Sequence, residues 1–256
     1  MTQTKQLTKT LLISSLALMS AYGTAQASIA NTHSTHQSNV ATYLAVGQDD
    51  LFINSQTGSS DGKSKKISET FATIYGQASD PKLVPNLYLT WGFRTIEGGI
   101  HDYNMGLKYV INSLLPNQTF MLHLGLYDSH NAKNSALGTK GTGVTFGWSP
   151  VKNFHLNLSH QNFDDNADGN IEDTNEITGK FKLNAKTKFA ITHQEASYHD
   201  RNNSKQTSRS DGIKLSYDVV DNFSLILGGA QSDEINNTNG QKKNIENAHI
   251  ALRYAF

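Results

Sequence analysis

Asn247-Ala-His-Ile-Ala-Leu-Arg-Tyr-Ala-Phe256 closes the chain on a strict alternation. Ala248, Ile250, Leu252, Tyr254 and Phe256 fall on one face of an extended strand, and Asn247, His249, Ala251, Arg253 and Ala255 on the other. One face is apolar and the other polar. A soluble sandwich also contains alternating strands, but a terminal aromatic at the margin of the apolar face is poorly explained as surface decoration.

Upstream, the same period recurs in a repeat. Five segments begin alike: Asn86-Leu-Tyr-Leu-Thr-Trp91, Thr119-Phe-Met-Leu-His-Leu124, Asn153-Phe-His-Leu-Asn-Leu158, Lys188-Phe-Ala-Ile191 and Asn222-Phe-Ser-Leu-Ile-Leu227. From Leu87 through Phe120, Phe154, Phe189 and Phe223 the spacing is about 33 to 35 residues, the length of one hairpin. Tight connections rich in turn residues precede these strands, at 80–85, 115–117, 149–152, 184–186 and 221–222. Polar and generally longer segments follow them, at 96–99, 129–140, 164–174, 200–209 and 233–243. Returning strands are predicted at 103–111, 142–148, 177–183 and 213–217 and at the terminus, with 40–54 and 67–76 as the opening pair.

The total is about 12 strands, with 10 or 14 as neighbouring counts. An even number returns both termini to the rim that carries the short turns. Leu122, Leu124 and Leu126 repeat at two, which excludes a helix. Propeller blades need four strands in roughly 40 residues, whereas each unit here supplies two.

At the other end, Lys5 and Lys9 precede an apolar run from Leu11 to Met19 and then Ala25-Gln-Ala27. This is the order of a secretory signal peptide, expected to span residues 1–27 and to be removed. Its apolar run is too short for a membrane helix, which wants roughly 20 residues. Cleavage would leave 256 − 27 = 229 residues with 20 basic and 22 acidic side chains, since the two lysines are lost from 22 and 22. Such a nearly neutral chain argues against nucleic acid as a partner. It has no Cys, so a disulfide framework is excluded. Residues 28–39 are polar and read as a solvated periplasmic tail, His33 and His36 included. With a mean hydropathy of −0.48 and no long apolar run after residue 27, the chain can enter a membrane only as a closed barrel.

The export signal, the hairpin repeat, the shorter turns on one rim and the final Phe together resemble the Gram-negative outer-membrane β-barrel proteins of porin-like type. That resemblance covers the mature chain and is specific for the class. It implies an all-β, antiparallel, up-and-down transmembrane barrel over residues 40–256, located in the outer membrane. It also implies a passive pore or structural barrel without a cofactor and without catalytic residues. Ile250, Leu252, Tyr254 and Phe256 would form the signal read by the barrel-assembly machinery, and outer-membrane lipid and lipopolysaccharide would surround the barrel.

With the apolar face outward, Trp148, Phe154, Phe189, Tyr217, Phe223, Tyr254 and Phe256 gather at the short-turn rim as an interfacial girdle. The opposite face carries Arg94, Lys108, His123, His155, Lys180, Lys182, Lys188, Lys214, Asp218 and Arg253 as candidate lumen residues. Charges at this density need water or ion partners. Twelve tilted strands about 4.8 Å apart close at a backbone radius of roughly 12 Å, which leaves a narrow bore. Seven basic residues on that face, counted against Glu176 and Asp218, point to a small diffusion channel with weak anion preference. Ion pairing that only rigidifies a plugged structural or adhesive barrel is the alternative.

Other sites were weighed. Asp164, Asn166 and Asp168, followed by Gly169, match the first half of a calcium loop, but Asn175 stands where the bidentate Glu belongs. For a barrel lipid hydrolase, Ser159 and His160 point to opposite faces, and Ser197 with His199 lacks an orienting carboxylate. Asp49-Asp50 with His199-Asp200 is a thin match to an omptin-like protease. The lumen histidines offer haem binding, as in soluble secreted barrels, only as a minor alternative.

Overall fold

A computed structural model of the chain describes residues 39–57, 60–80, 82, 84–112, 118–131, 134–165, 171–199, 205–237 and 240–256. The expected signal peptide and nearly all of the polar tail lie outside these residues. Twelve antiparallel strands form: β1 (Asn39–Thr57), β2 (Ser60–Ser79), β3 (Leu87–Ile96), β4 (Ile100–Asn112), β5 (Thr119–Asn131), β6 (Asn134–Val151), β7 (Phe154–Asp165), β8 (Ile171–Lys182), β9 (Thr187–His199), β10 (Lys205–Val220), β11 (Phe223–Asn236) and β12 (Lys242–Ala255). Each pairs with its sequence neighbours and β12 pairs with β1, so the barrel is closed. The seam runs from Tyr43 opposite Ala255 to Gln56 opposite Lys242. Closure leaves no open ladder along the seam, which is what lets a sheet survive in hydrocarbon.

The strands are staggered. A row of paired residues that starts at Asp49 passes through His249, Gly228, Lys214, Ala190 and Lys180 to His155, beside the start of β7. Over half the circumference it descends from mid-strand to the turn-side rim. This shear tilts the strands and sets the bore.

On the turn-side rim the connections are short and locally hydrogen-bonded. Asn184 Oδ1 accepts the backbone N–H groups of Lys186 at 2.9 Å and Thr187 at 2.8 Å. The expected turn at 115–117 lies outside the described residues. On the far rim the expectation of long loops is corrected. β5 runs to Asn131 and β6 starts at Asn134, β9 runs to His199 and β10 starts at Lys205, and β11 runs to Asn236 and β12 starts at Lys242. Above the apolar zone the outer face turns polar, so the period-two hydropathy signal fades while the backbone ladder continues. Cross-strand polar pairs take over there: His160 and Asn175 at 3.0 Å, Asn162 donating to Asp173 at 2.7 Å, and His193 and Asp211 at 2.6 Å. β3 and β4 turn back early through Gly98 (φ 104°) and Gly99 (φ 88°), a backbone that L side chains rarely adopt. β2 pairs with β3 only from Phe71 to Ala78, but with β1 as far as Ser60, so its upper part stands clear of β3.

Polarity is inverted relative to a soluble protein. Leu124 is 53% exposed and its neighbour His123 is 7% exposed. Leu89, Leu107, Tyr109, Leu122, Phe146, Leu158, Ile191, Leu215 and Leu252 all lie exposed on the outer face. A belt of this kind, carried from strand to strand around the circumference, goes far beyond the scattered apolar residues of soluble surfaces. Its solvent is lipid, and the barrel is a transmembrane one. Rings collect at the turn-side edge, with Phe154 and Phe181 at 4.8 Å, Phe181 and Phe189 at 6.5 Å, and Tyr254 and Phe256 at 5.1 Å between centroids.

Candidate channel interior

Alternation sends every second side chain inward, and these side chains make three polar groups. The first bridges the seam. Asp49 on β1 lies 2.7 Å from Arg94 Nη2 on β3 and 2.5 Å from His249 Nδ1 on β12. The Phe71 ring packs beneath both partners, with the guanidinium 4.6 Å from its centroid and the imidazole stacked at 5.3 Å. Phe71 fits flat because Gly47 faces it; a Cβ on Gly47 would come within 2.7 Å of the ring and 2.3 Å of the Ile250 carbonyl oxygen. With Ile96, Ile100, Ile226 and Ala251, Phe71 makes a small apolar core inside the wall.

The second group lies on β2 to β5. Lys108 donates to Gln77 Oε1 and sits 4.4 Å from the Tyr88 ring centroid. His123 Nε2 is 3.0 Å from Thr90 Oγ1, and Ser129 Oγ donates to Asp102 Oδ1 at 2.6 Å. Each is buried, and each has a polar partner, as burial demands.

The third group lines the mouth on the turn side. Asp218 accepts from Lys188 Nζ at 3.1 Å, from Ser224 Oγ at 2.7 Å and from Arg253 Nη2 at 3.4 Å. His155 Nδ1 is 2.6 Å from Ser149 Oγ, and its Nε2 is 2.6 Å from Asn157 Oδ1. Lys182 is exposed at the rim. Above the mouth, Lys180 and Lys214 both lie in the field of Glu176, whose carboxylate also accepts from Thr178 at 2.8 Å.

The first two groups crowd the wall from β12 through β1 to β5, and the third lines the turn-side mouth from β6 round to β12. Above that mouth the arc of β9 to β11 is different. Inward positions of β9, β10 and β11 include Ala190, Thr192, Ala196, Ser208, Ser210, Gly212, Ala230 and Ser232, all small and all half-buried rather than buried. Apart from Gln194, Lys214 and Glu234, which also face inward here, this arc carries less side-chain bulk than the wall opposite.

Arg94, Lys108, His123, His155, Lys180, Lys182, Lys188, Lys214, Asp218 and Arg253 all sit at inward positions of their strands. The acid count on this face is corrected, however. Asp49, Glu69, Asp102, Glu172 and Glu234 also face inward, beside Glu176 and Asp218, and Lys243 joins the seven basic residues, so the two signs nearly balance among these residues. Ile250, Leu252, Tyr254 and Phe256 are exposed on the outer face of the seam strand. Of the calcium candidate, Asp164 is exposed at the end of β7, while Asn166 and Asp168 lie outside the described residues. Ser159 faces inward, 3.0 Å from Thr145, and His160 faces outward toward Asn175. Asp49 is buried in the wall and Asp50 faces outward, 3.1 Å from Lys66.

No family model and no curated protein matches the sequence. Solved structures do match the fold. An outer-membrane channel from Pseudomonas putida F1 aligns with a TM-score of 0.60 at 10% identity, covering 89% of this chain and 99% of that one. Pseudomonas aeruginosa OpdQ aligns at 0.51 with 6% identity, covering 85% and 98%. The NanC porin aligns at 0.50 with 10% identity, covering 81% and 98%. The fold is thus that of Gram-negative outer-membrane channels.

Proposed function

We propose that the chain is a porin-like channel of the outer membrane of a Gram-negative bacterium, passing ions or small solutes by passive diffusion with a weak preference for anions. The observation that carries this reading is the division of the interior. Buried charged groups pack densely from β12 to β5, and small, half-buried residues on β9 to β11 would leave a passage above the charged mouth. A barrel serving only as a structural plug has no need of such a strip. Weak anion preference is supported by Lys180 and Lys214 lying together in the field of Glu176, and by Lys188 and Arg253 sharing Asp218 at the mouth, where Lys182 adds a further positive charge. The inward acids Asp49, Glu69, Asp102, Glu172 and Glu234 limit its strength. The outer belt would contact membrane lipid and, at its polar upper edge, lipopolysaccharide. The exposed terminal strand would serve as the assembly signal.

Current through the refolded protein in a planar bilayer tests the channel, and the reversal potential under a salt gradient tests its selectivity. Discrete conductance steps with a small reversal potential of the anionic sign are expected. Absence of current sinks the channel, and cation preference sinks the selectivity.

A further inference from the structure

Lys182 and Lys188 stand directly opposite each other across β8 and β9. Like charges in that relation repel, and a hairpin selected for stability alone avoids them. A third lysine, Lys186, is exposed on the turn that joins the two strands, held by the Asn184 side chain through its own backbone N–H at 2.9 Å. The carboxylate that meets this cluster is Asp218. It takes Lys188 at 3.1 Å, but it is shared with Arg253 at 3.4 Å and Ser224 at 2.7 Å. Among the described residues, no carboxylate lies within ion-pair distance of Lys182 or Lys186. Their frame is fixed as well. The Lys182 N–H donates to the Asn153 carbonyl and the Asp218 N–H to the Lys186 carbonyl, each at 2.8 Å, so neighbouring turns are tied together.

From this juxtaposition we propose a binding site for a phosphate-bearing anion at the turn-side mouth of the barrel, formed by Lys182, Lys186 and Lys188. It deepens the channel reading and rests on it. A phosphate dianion presents several acceptor oxygens and enough charge to offset two or three ammonium groups, which a halide at one point does not. Lys182 and Lys188 face the bore, whereas their strand neighbours Phe181 and Phe189 face outward as part of the ring belt. The ligand is therefore a solute in the mouth, inorganic phosphate or a small phosphate ester, and not the headgroup of a lipid.

Calorimetric titration of the refolded protein, in neutral detergent at low ionic strength without phospholipid, measures binding of inorganic phosphate directly. Saturable binding is expected for the unaltered chain. Lys182→Gln with Lys186→Gln weakens it by about tenfold, which corresponds to roughly 1.4 kcal/mol. Lys182→Arg with Lys186→Arg retains it, which separates charge from folding. Lys82→Gln, on the 80–86 connection, leaves it unchanged. In planar bilayers, phosphate added from the turn side lowers chloride current through the unaltered barrel but not through the double Gln variant. No saturable binding by the unaltered chain, or equal binding by the double Gln variant, overturns the proposal. A barrel that binds phosphate but passes no current keeps the site and loses the channel; one that conducts without binding phosphate does the reverse.

Discussion

Asp49 shows how much of the interior depends on single residues. It is 5% exposed and holds Arg94 and His249, both buried, across the β12–β1–β2–β3 junction. Asp49→Ala leaves a guanidinium and an imidazole in the wall without their carboxylate, and breaking a buried pair in this way costs about 3 to 5 kcal/mol. The expected result is a lower midpoint of guanidinium-induced unfolding. Replacing the charges together, as Asp49→Leu with Arg94→Met, recovers much of that loss; an unchanged midpoint in the single variant would show that the seam cluster contributes nothing. At this scale the sequence was half legible. Alternation placed ten candidate residues on the inward face, but their partners were hidden, because Asp49 and Arg94 lie 45 positions apart and meet only through register and tilt. Glu172 and Glu234 were missed because their segments read as loops, and Asp49 and Glu69 because the opening pair had no clear hydropathy face.

Strands and turns were more legible, for a physical reason. In the lipid zone one face must be apolar and the other wet, so period two appears directly in the residues, and the count of 12 followed from it. Beyond that zone both faces meet water, and the upper extensions of β5, β6 and β9 to β12 carry no such signal. The terminal strand belongs to the legible part. Tyr254 pairs with Leu44 and Phe223 and exposes its ring outward, and Phe256 is 72% exposed. Deleting Phe256, or making Leu252→Asp with Tyr254→Asp, is expected to deplete the protein from the outer-membrane fraction far more than it alters the conductance of whatever assembles. Normal membrane levels would refute the assembly role. The two tryptophans report on the same face. Trp91 lies outward over Gly76, where a Cβ would come within 2.5 Å of the indole, and Trp148 stands opposite Phe120. Both should be quenched by brominated phospholipid and shielded from aqueous iodide.

For the molecule as a whole, closure and the passage proposed along β9 to β11 are the features that matter. Ala230→Trp fills the small-residue arc and is expected to remove most of the single-channel current. Ala72→Trp, on the outer face of β2, should leave that current intact. Equal currents in the two variants would move the passage elsewhere. The shape of the upper rim has one more consequence. Because β3 and β4 turn back at 97–99, β2 rises past them with one edge of its backbone uncovered by β3 from Ser60 to about Glu69. Barrels packed side by side in a membrane bring such edges near one another, and bare N–H and C=O groups invite a neighbouring chain to zip on. Lys65 and Lys66 stand exposed on this stretch. Lysine on a bare ladder disfavours pairing with a second copy, here chiefly through Lys65, since Lys66 is held 3.1 Å from Asp50, so crowding need not become fusion into sheets shared between molecules.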